Sequence, residues 1–265
     1  MKTRIRLLAT KLLSTGFRAK NLETNEVVSV KTSCYRVAEF DTVMFALSKE
    51  WTFNKNQYVS GEILENRFDP DSIDIPGHQF REIEPYDPSE WYSSRELQGF
   101  IGECMGRGRR MSYEFEDYTG FGFYGPNTDP VYESTECDTL DERYAMLMKL
   151  FEAYPQCIDA IVHVGYQYLK KAFYLHHAEN CFRTAILVAQ KNLPPDFDGI
   201  ILWSCLNNRP YLRALHGLLL TQWRQGVFEP AAKTACTILR LNPPDNHGVR
   251  FLIDKITSHE PYSEV

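Results

Sequence analysis

The feature that most limits what this chain can fold into is a change of periodicity at Thr139. Beyond it, apolar residues recur at helical spacing through segments 157–172, 175–192, 210–225, 229–241 and 245–258, joined by short turns. Thr139-Leu140-Asp141-Glu142 opens the series with capping-box spacing, a threonine hydroxyl for the N3 amide and a glutamate that reaches back to the N-cap amide. Helices of this even length bury their apolar stripes only by stacking on their neighbours. Residues 139–265 are therefore expected to form an all-α array of helical hairpins.

Ahead of Thr139 the patterns differ. Met1–Leu13 has a basic start and several leucines, but Lys11 interrupts the apolar stretch short of signal-peptide length and no small-residue cleavage site follows. Residues 1–25 are expected to be an amphipathic N-terminal helical arm. From 26 to 66 come short runs rich in β-branched and aromatic residues: Val27-Val28-Ser29-Val30, Thr42–Leu47, Trp51-Thr52-Phe53 and Gln57–Leu64. A small antiparallel β-barrel-like module accounts for them, and a sheet this small is expected to pack on another part of the chain. Residues 67–138 are punctuated by Asp69-Pro70, Ile75-Pro76-Gly77, Glu84-Pro85, Asp87-Pro88, Gly125-Pro126 and Asp129-Pro130, each proline also holding its predecessor out of the helical basin. This irregular connecting segment carries Trp91, Tyr92, Phe100, Phe115, Phe121, Phe123 and Tyr124, so part of it is expected to lie on a module, anchored by those rings. Arg95 to Met111 holds a candidate short helix ending in Gly106-Arg107-Gly108-Arg109-Arg110. The expected fold class is α+β, a β-module followed by an all-α helical-repeat domain.

The net charge of -6 is a sum of unlike parts. Residues 1–60 hold 10 Lys/Arg against 5 Asp/Glu, residues 61–142 hold 6 against 20, and residues 143–265 hold 13 against 10. The pattern argues against a uniformly basic nucleic-acid binder and leaves open a solvated acidic connector between two mildly basic modules. Seven cysteines without a C-x-x-C pair read as reduced thiols of a cytoplasmic protein. No apolar run approaches the ~18 residues of a membrane span.

Within the helical array, Gly226-Val227-Phe228-Glu229-Pro230-Ala231 is followed after one helix by Leu241-Asn242-Pro243-Pro244-Asp245-Asn246. With Gly226 at an inter-helix turn, Phe228 wedges between helices, Ala231 permits a close crossing and Pro243 stops the second helix. Gly165, Ala178, Phe182 and Ala185 suggest an earlier repeat with one inserted residue in its turn. In this register residues 139–265 resemble the tetratricopeptide-repeat superfamily. Pro195–Gly199, Asn207–Gly217, Trp223 and Leu241–Arg250 are similar to a group of uncharacterised bacterial repeat proteins, and Trp51 with Tyr58–Ile63 resembles their small β-rich N-terminal module. The resemblance implies architecture and partner binding, with no reaction and no cofactor.

In such a solenoid the first helix of each hairpin lines the concave face, here Arg213, His216, Leu220, Trp223 and Arg224, followed by His247, Arg250 and Asp254. Arg213, His216, Trp223 and Arg250, with Asn208 and Arg209 at the rim, are the expected partner-binding residues. Guanidinium forks and an indole suit an acidic or carboxylate-ended peptide. The competing structural account has Trp223 as inter-helix core and the arginines paired to Asp196, Asp198 or Asp254. Asp196-Phe197-Asp198-Gly199 lacks the downstream acidic ligand of a calcium loop, and His176-His177 with Cys181 has poor metal spacing.

Phe121-Gly122-Phe123-Tyr124-Gly125 runs into Pro126 rather than a helix, so it is no phosphate loop, and no catalytic or dinucleotide fingerprint stands elsewhere. The expected function is a non-catalytic protein-interaction scaffold that binds a peptide or partner protein. The alternative places single-stranded nucleic acid on the β-module, where Trp51, Phe53 and Tyr58 offer stacking surfaces. Against it, Lys31, Lys49 and Lys55 would serve only to shield sheet edges, the aromatics forming core. The acidic segment 112–137 could also occupy the repeat groove itself.

Overall fold

The computed structural model describes residues 3–33, 36–90, 99–106, 108–117 and 129–263, and the chain divides between Asp74 and Ile75 into two compact units. Trp91, Tyr92, Arg107 and the run Phe121–Gly125 lie outside the described residues, as do residues 118–128 of the segment considered as a groove occupant.

In the first unit β1 (Arg4–Leu13), β2 (Gly16–Asn21), β3 (Val27–Lys31), β4 (Asp41–Phe53) and β5 (Asn56–Phe68) close into a barrel in the order β1-β2-β3-β5-β4. The first three strands form an antiparallel meander. β4 returns to pair with β1, and β5 closes the ring antiparallel to β4 and parallel to β3. Closure leaves no strand edge to cover. Leu7, Ala9, Phe17, Ala19, Val28, Val30, Val37, Val43, Phe45 and Val59 fill the interior. Gly16 makes the β1–β2 turn at φ 138°, where a Cβ would sit 1.8 Å from the Val30 carbonyl oxygen, so no other residue fits.

The expected helical arm is instead β1 and β2, two strands of this barrel. A β-bulge between Ala9 and Lys11 shifts the phase of alternation midway along β1, so a two-residue period does not run through Arg4–Leu13. The β-module therefore spans the first 74 residues rather than 26–66.

In the second unit the connecting segment is more ordered than its prolines suggest. β6 (Phe80–Tyr86) pairs antiparallel with β7 (Arg110–Phe115), and α1 (Gly99–Met105) lies between them in sequence. Then follow α2 (Pro130–Glu133), α3 (Leu140–Ala153), α4 (Ile158–Leu169), α5 (Leu175–Gln190), β8 (Ile200–Ile201), α6 (Arg209–Arg224), α7 (Phe228–Leu241) and α8 (Ile253–Thr257). β8 adds in parallel to β7, completing a three-stranded sheet β6-β7-β8. The capping box forms at Thr139 and Glu142 as read from the sequence. From α3 to α8 each helix packs on the next, and α4 also meets α6. The Phe182 ring is lodged between α4 and α6, so that a Cβ on Gly217 would stand 2.3 Å from it and one on Gly165 2.8 Å. That close approach lets α4 and α6 share one layer.

The expected last helix, 245–258, is broken. Asp245 at φ 54° and Gly248 at φ 68° turn the chain, and only Ile253–Thr257 is α-helical. Cys104 in α1 and Cys236 in α7 form a disulfide, which corrects the expectation of reduced thiols throughout. Their separation of 132 residues conceals the pairing in the sequence. Cys137, Cys157, Cys181 and Cys205 take part in no disulfide among the described residues. Among the described residues no helix is long and apolar enough to cross a membrane.

Candidate functional site

The residues expected to line the helical groove fall into three separate settings. Around the half-buried Trp203, the Arg209 and Arg213 guanidiniums stand 5.2 and 5.7 Å from the ring centroid, and His247 meets it edge-on at 4.6 Å. Arg209 Nε donates to the Trp203 carbonyl, and Arg213 Nη1 donates to both carboxylate oxygens of Asp159 at 2.6 and 2.7 Å. His216 stacks on His247 at 4.8 Å, and its Nδ1 lies 3.1 Å from the Tyr166 hydroxyl. Burial, then the neighbouring His247, holds His216 down to about 3. Burial lowers His247 to about 4, with Arg213 adding and Asp245 opposing. Both rings are neutral at physiological pH and act as packing groups. His163, 3.8 Å from Asp159, is likewise lowered by burial, against the pull of that carboxylate.

Asn208 and Arg250 serve the scaffold. Asn208 has no exposed surface; its Oδ1 accepts from Phe115 N, and its Nδ2 donates to the carbonyls of Tyr113 and Leu202. It staples β7 and the β8 loop to the start of α6. Arg250 Nε donates to Asp245, whose carboxylate also accepts from the backbone amides of Val249 and Arg250. Trp223 is 1% exposed, and the chain after α8 lies over it, its Nε1 donating to the Glu260 carbonyl. Of the expected groove residues, Arg209, Arg213, His216 and His247 are brought together, with Trp203 as the aromatic in place of Trp223.

The other candidates are also accounted for. Asp198 receives Arg240 at 2.6 Å and Arg110 at 3.5 Å, and His177 packs beneath Tyr168 and Tyr174. Among the described residues no three His, Cys, Asp or Glu side chains come together as a metal site.

The barrel carries a different arrangement on its outer face. Buried Phe17, Ala19, Val28, Val30 and Val59 point inward, so their sequence neighbours on β2, β3 and β5 point out, and on β1 beyond the bulge Leu12 packs on the core while Lys11 points out. Strand register sets those outward residues in rows. Lys11 pairs with Arg18, Arg18 with Ser29, Ser29 with Tyr58 and Tyr58 with Trp51, one row crossing all five strands. Beside it, Ser60 pairs with both Lys31 and Lys49. On the far side stand Lys20 opposite Val27, and Phe53 opposite Asn56. No Asp or Glu stands in these rows.

The Trp51 and Tyr58 rings stack at 5.5 Å with their planes 13° apart. Lys49 Nζ lies 5.6 Å from the Trp51 centroid, and Lys31 Nζ lies 5.9 Å from that of Tyr58 while donating to Thr15 Oγ1 in the β1–β2 turn. Phe53 is 61% exposed beside the two-residue turn Asn54-Lys55, both residues at positive φ as a type I′ hairpin needs. Residues 1–74 hold 11 Lys/Arg and 10 Asp/Glu, so the polarity comes from segregation rather than from net charge. The sequence marked the three aromatics but not Lys11, Arg18 and Lys20. They were hidden by reading the arm as a helix, and the alternation Phe17-Arg18-Ala19-Lys20 was the available signal.

Comparison with models of known families, with curated proteins and with solved structures returns no match.

Proposed function

We propose that the barrel binds single-stranded nucleic acid on this outer face, without catalysis. The observation that carries the proposal is the Trp51–Tyr58 stack with Lys49 and Lys31 over its rings, continued around the barrel by the register row through Ser29, Arg18 and Lys11. Unpaired bases need exposed ring faces, and the intervening phosphates need a cationic track. Five-stranded Greek-key barrels of the oligonucleotide-binding kind present the face of β2 and β3, flanked by the β1–β2 and β4–β5 loops, and this barrel shares their strand order. Because the barrel is closed, this row winds around it rather than lying flat on one face, its four inter-strand gaps tracing a path of roughly 19 Å. That length suits the lower end of the usual footprint, about 4 nucleotides. Duplex DNA offers no open base faces and should bind more weakly. Fluorescence anisotropy with a labelled 12-nucleotide single strand tests the proposal. Trp51→Ala should weaken binding roughly 5- to 150-fold, since a stacked base is worth about 1–3 kcal/mol. Unchanged affinity, or equal affinity for duplex, refutes it.

For the helical unit we propose two tetratricopeptide-like hairpins, α4–α5 and α6–α7, that serve as a protein-interaction scaffold. Phe182 between Gly165 and Gly217 and the buried Ala231 support the repeat packing. The Trp203 clasp favours an acidic peptide: Asp159 neutralises Arg213, whereas Arg209 has no acidic partner among the described residues. Calorimetric titration with an Asp/Glu-rich peptide pool tests this, and binding that survives Arg209→Ala refutes it.

A further inference from the structure

We propose that Trp223, Arg224 and Phe228 form a docking site for an extended peptide carrying a proline-tyrosine pair, and that the chain's own segment His259–Tyr262 occupies it. The site lies at the turn between α6 and α7, away from the Trp203 clasp, and does not depend on the barrel. It rests on how that segment is seated. α8 ends at Thr257, and His259 takes the left-handed φ of 59°, which turns the following residues back over the helices. The Trp223 indole N–H then donates to the Glu260 carbonyl at 2.8 Å. The Tyr262 ring stands edge-on to Trp223 at 5.2 Å, and the Arg224 guanidinium lies 5.5 Å from its centroid. The His259 ring stacks on Phe228 at 4.8 Å.

These contacts are those of peptide recognition. A buried indole donor needs an acceptor, and any peptide carbonyl supplies it irrespective of side chain. Arg224 also donates to the Leu169 carbonyl, so its fork is held in place to receive an aromatic ring. Pro261 keeps its predecessor extended, which lowers the ordering cost of docking. His259, Glu260 and Pro261 remain solvent-exposed while seated, so the segment lies on the unit rather than inside it. A peptide of the same chemistry supplied by another protein would compete for the same contacts, at a disadvantage set by the high effective concentration of a tethered segment.

The probe is a fluorescein-labelled peptide with the sequence of residues 258–265, tested against the full chain, a chain ending at Ser258, and the full chain with His259→Ala and Tyr262→Ala. The shortened chain should bind the peptide at least tenfold tighter than the full chain, and the double variant should fall between them. Adding Arg224→Ala to the shortened chain should weaken binding, and a scrambled peptide should not bind. If the shortened chain does not fold, the double variant alone decides. Peptide binding no tighter than to the parent, or binding equal to that of the scrambled peptide, overturns the proposal.

Discussion

Asn208 separates a scaffold role from a binding role most sharply within the helical unit. Its buried amide accepts one hydrogen bond and donates two, joining β7, the β8 loop and α6. Each bond contributes about 1 kcal/mol net, and a buried amide left without its acceptor costs a further 1–3 kcal/mol or so. Asn208→Ala should therefore cost about 4–6 kcal/mol, a large fraction of the ~5–15 kcal/mol that stabilises a domain. For a unit of this size that lowers the melting temperature by roughly 10 °C. Asn208→Asp keeps the shape but turns the two donated bonds into contacts between a carboxylate and carbonyl oxygens. Burial and those oxygens raise the new carboxyl's pKa above its unfolded value. Its penalty relative to the parent should thus be largest at neutral pH and shrink as pH falls toward 4, as protonation restores a neutral donor. Urea unfolding followed by circular dichroism at 222 nm at several pH values measures both effects. A loss under 1 kcal/mol for Asn208→Ala, or a pH-independent penalty for Asn208→Asp, would refute the staple.

Three further outcomes follow from the same unit. His78 has no exposed surface, its Nε2 lies 2.8 Å from the Gln156 carbonyl, and burial holds its pKa down to about 4, the hydrogen bond opposing. Its unfolded value is higher, so its contribution of about 3 kcal/mol is complete above pH 6.5 and is lost as pH falls toward 4; His78→Leu should flatten the stability-pH curve in that window, and an unaltered slope would contradict this. Gly217→Ala would press a methyl into the Phe182 ring and should cost about 1–3 kcal/mol by thermal melting. The double change with Phe182→Leu should recover part of that loss, whereas strictly additive losses would count against the contact.

Much of the helical half was legible because its signals are local. The capping box at Thr139 and the apolar stripes of α4 to α7 lie within single helices, and the observed ends fall close to those read from the sequence. The last helix was misjudged because its apolar residues keep helical spacing, while the break depends on Asp245 capping the amides of Val249 and Arg250. Strand pairing is non-local, so β1 and β2 were lost to a bulge and the β6-β7-β8 sheet to intervening prolines and a long insertion. The candidate sites divide along the same line. Helical spacing put Arg213 and His216 on one face correctly, but Asp159 lies 54 residues from Arg213, and the cover over Trp223 comes from 37 residues downstream. On the barrel the three aromatics were visible as residue types. Their alignment with Lys11 and Arg18 exists only once five strands have found their register.

The central claim concerns that alignment, and the salt dependence of single-strand binding tests it most directly. Anisotropy titrations of a 12-nucleotide single strand between 50 and 300 mM salt, fixed as experimental conditions, give log K against log salt. Contact of the row lysines and Arg18 with about four or five phosphates predicts a slope near -3, and Lys49→Glu should make it shallower by roughly 0.7 or more while leaving the barrel folded. A slope near zero, or a Lys49→Glu chain that binds as tightly and with the same slope as the parent, would contradict the account.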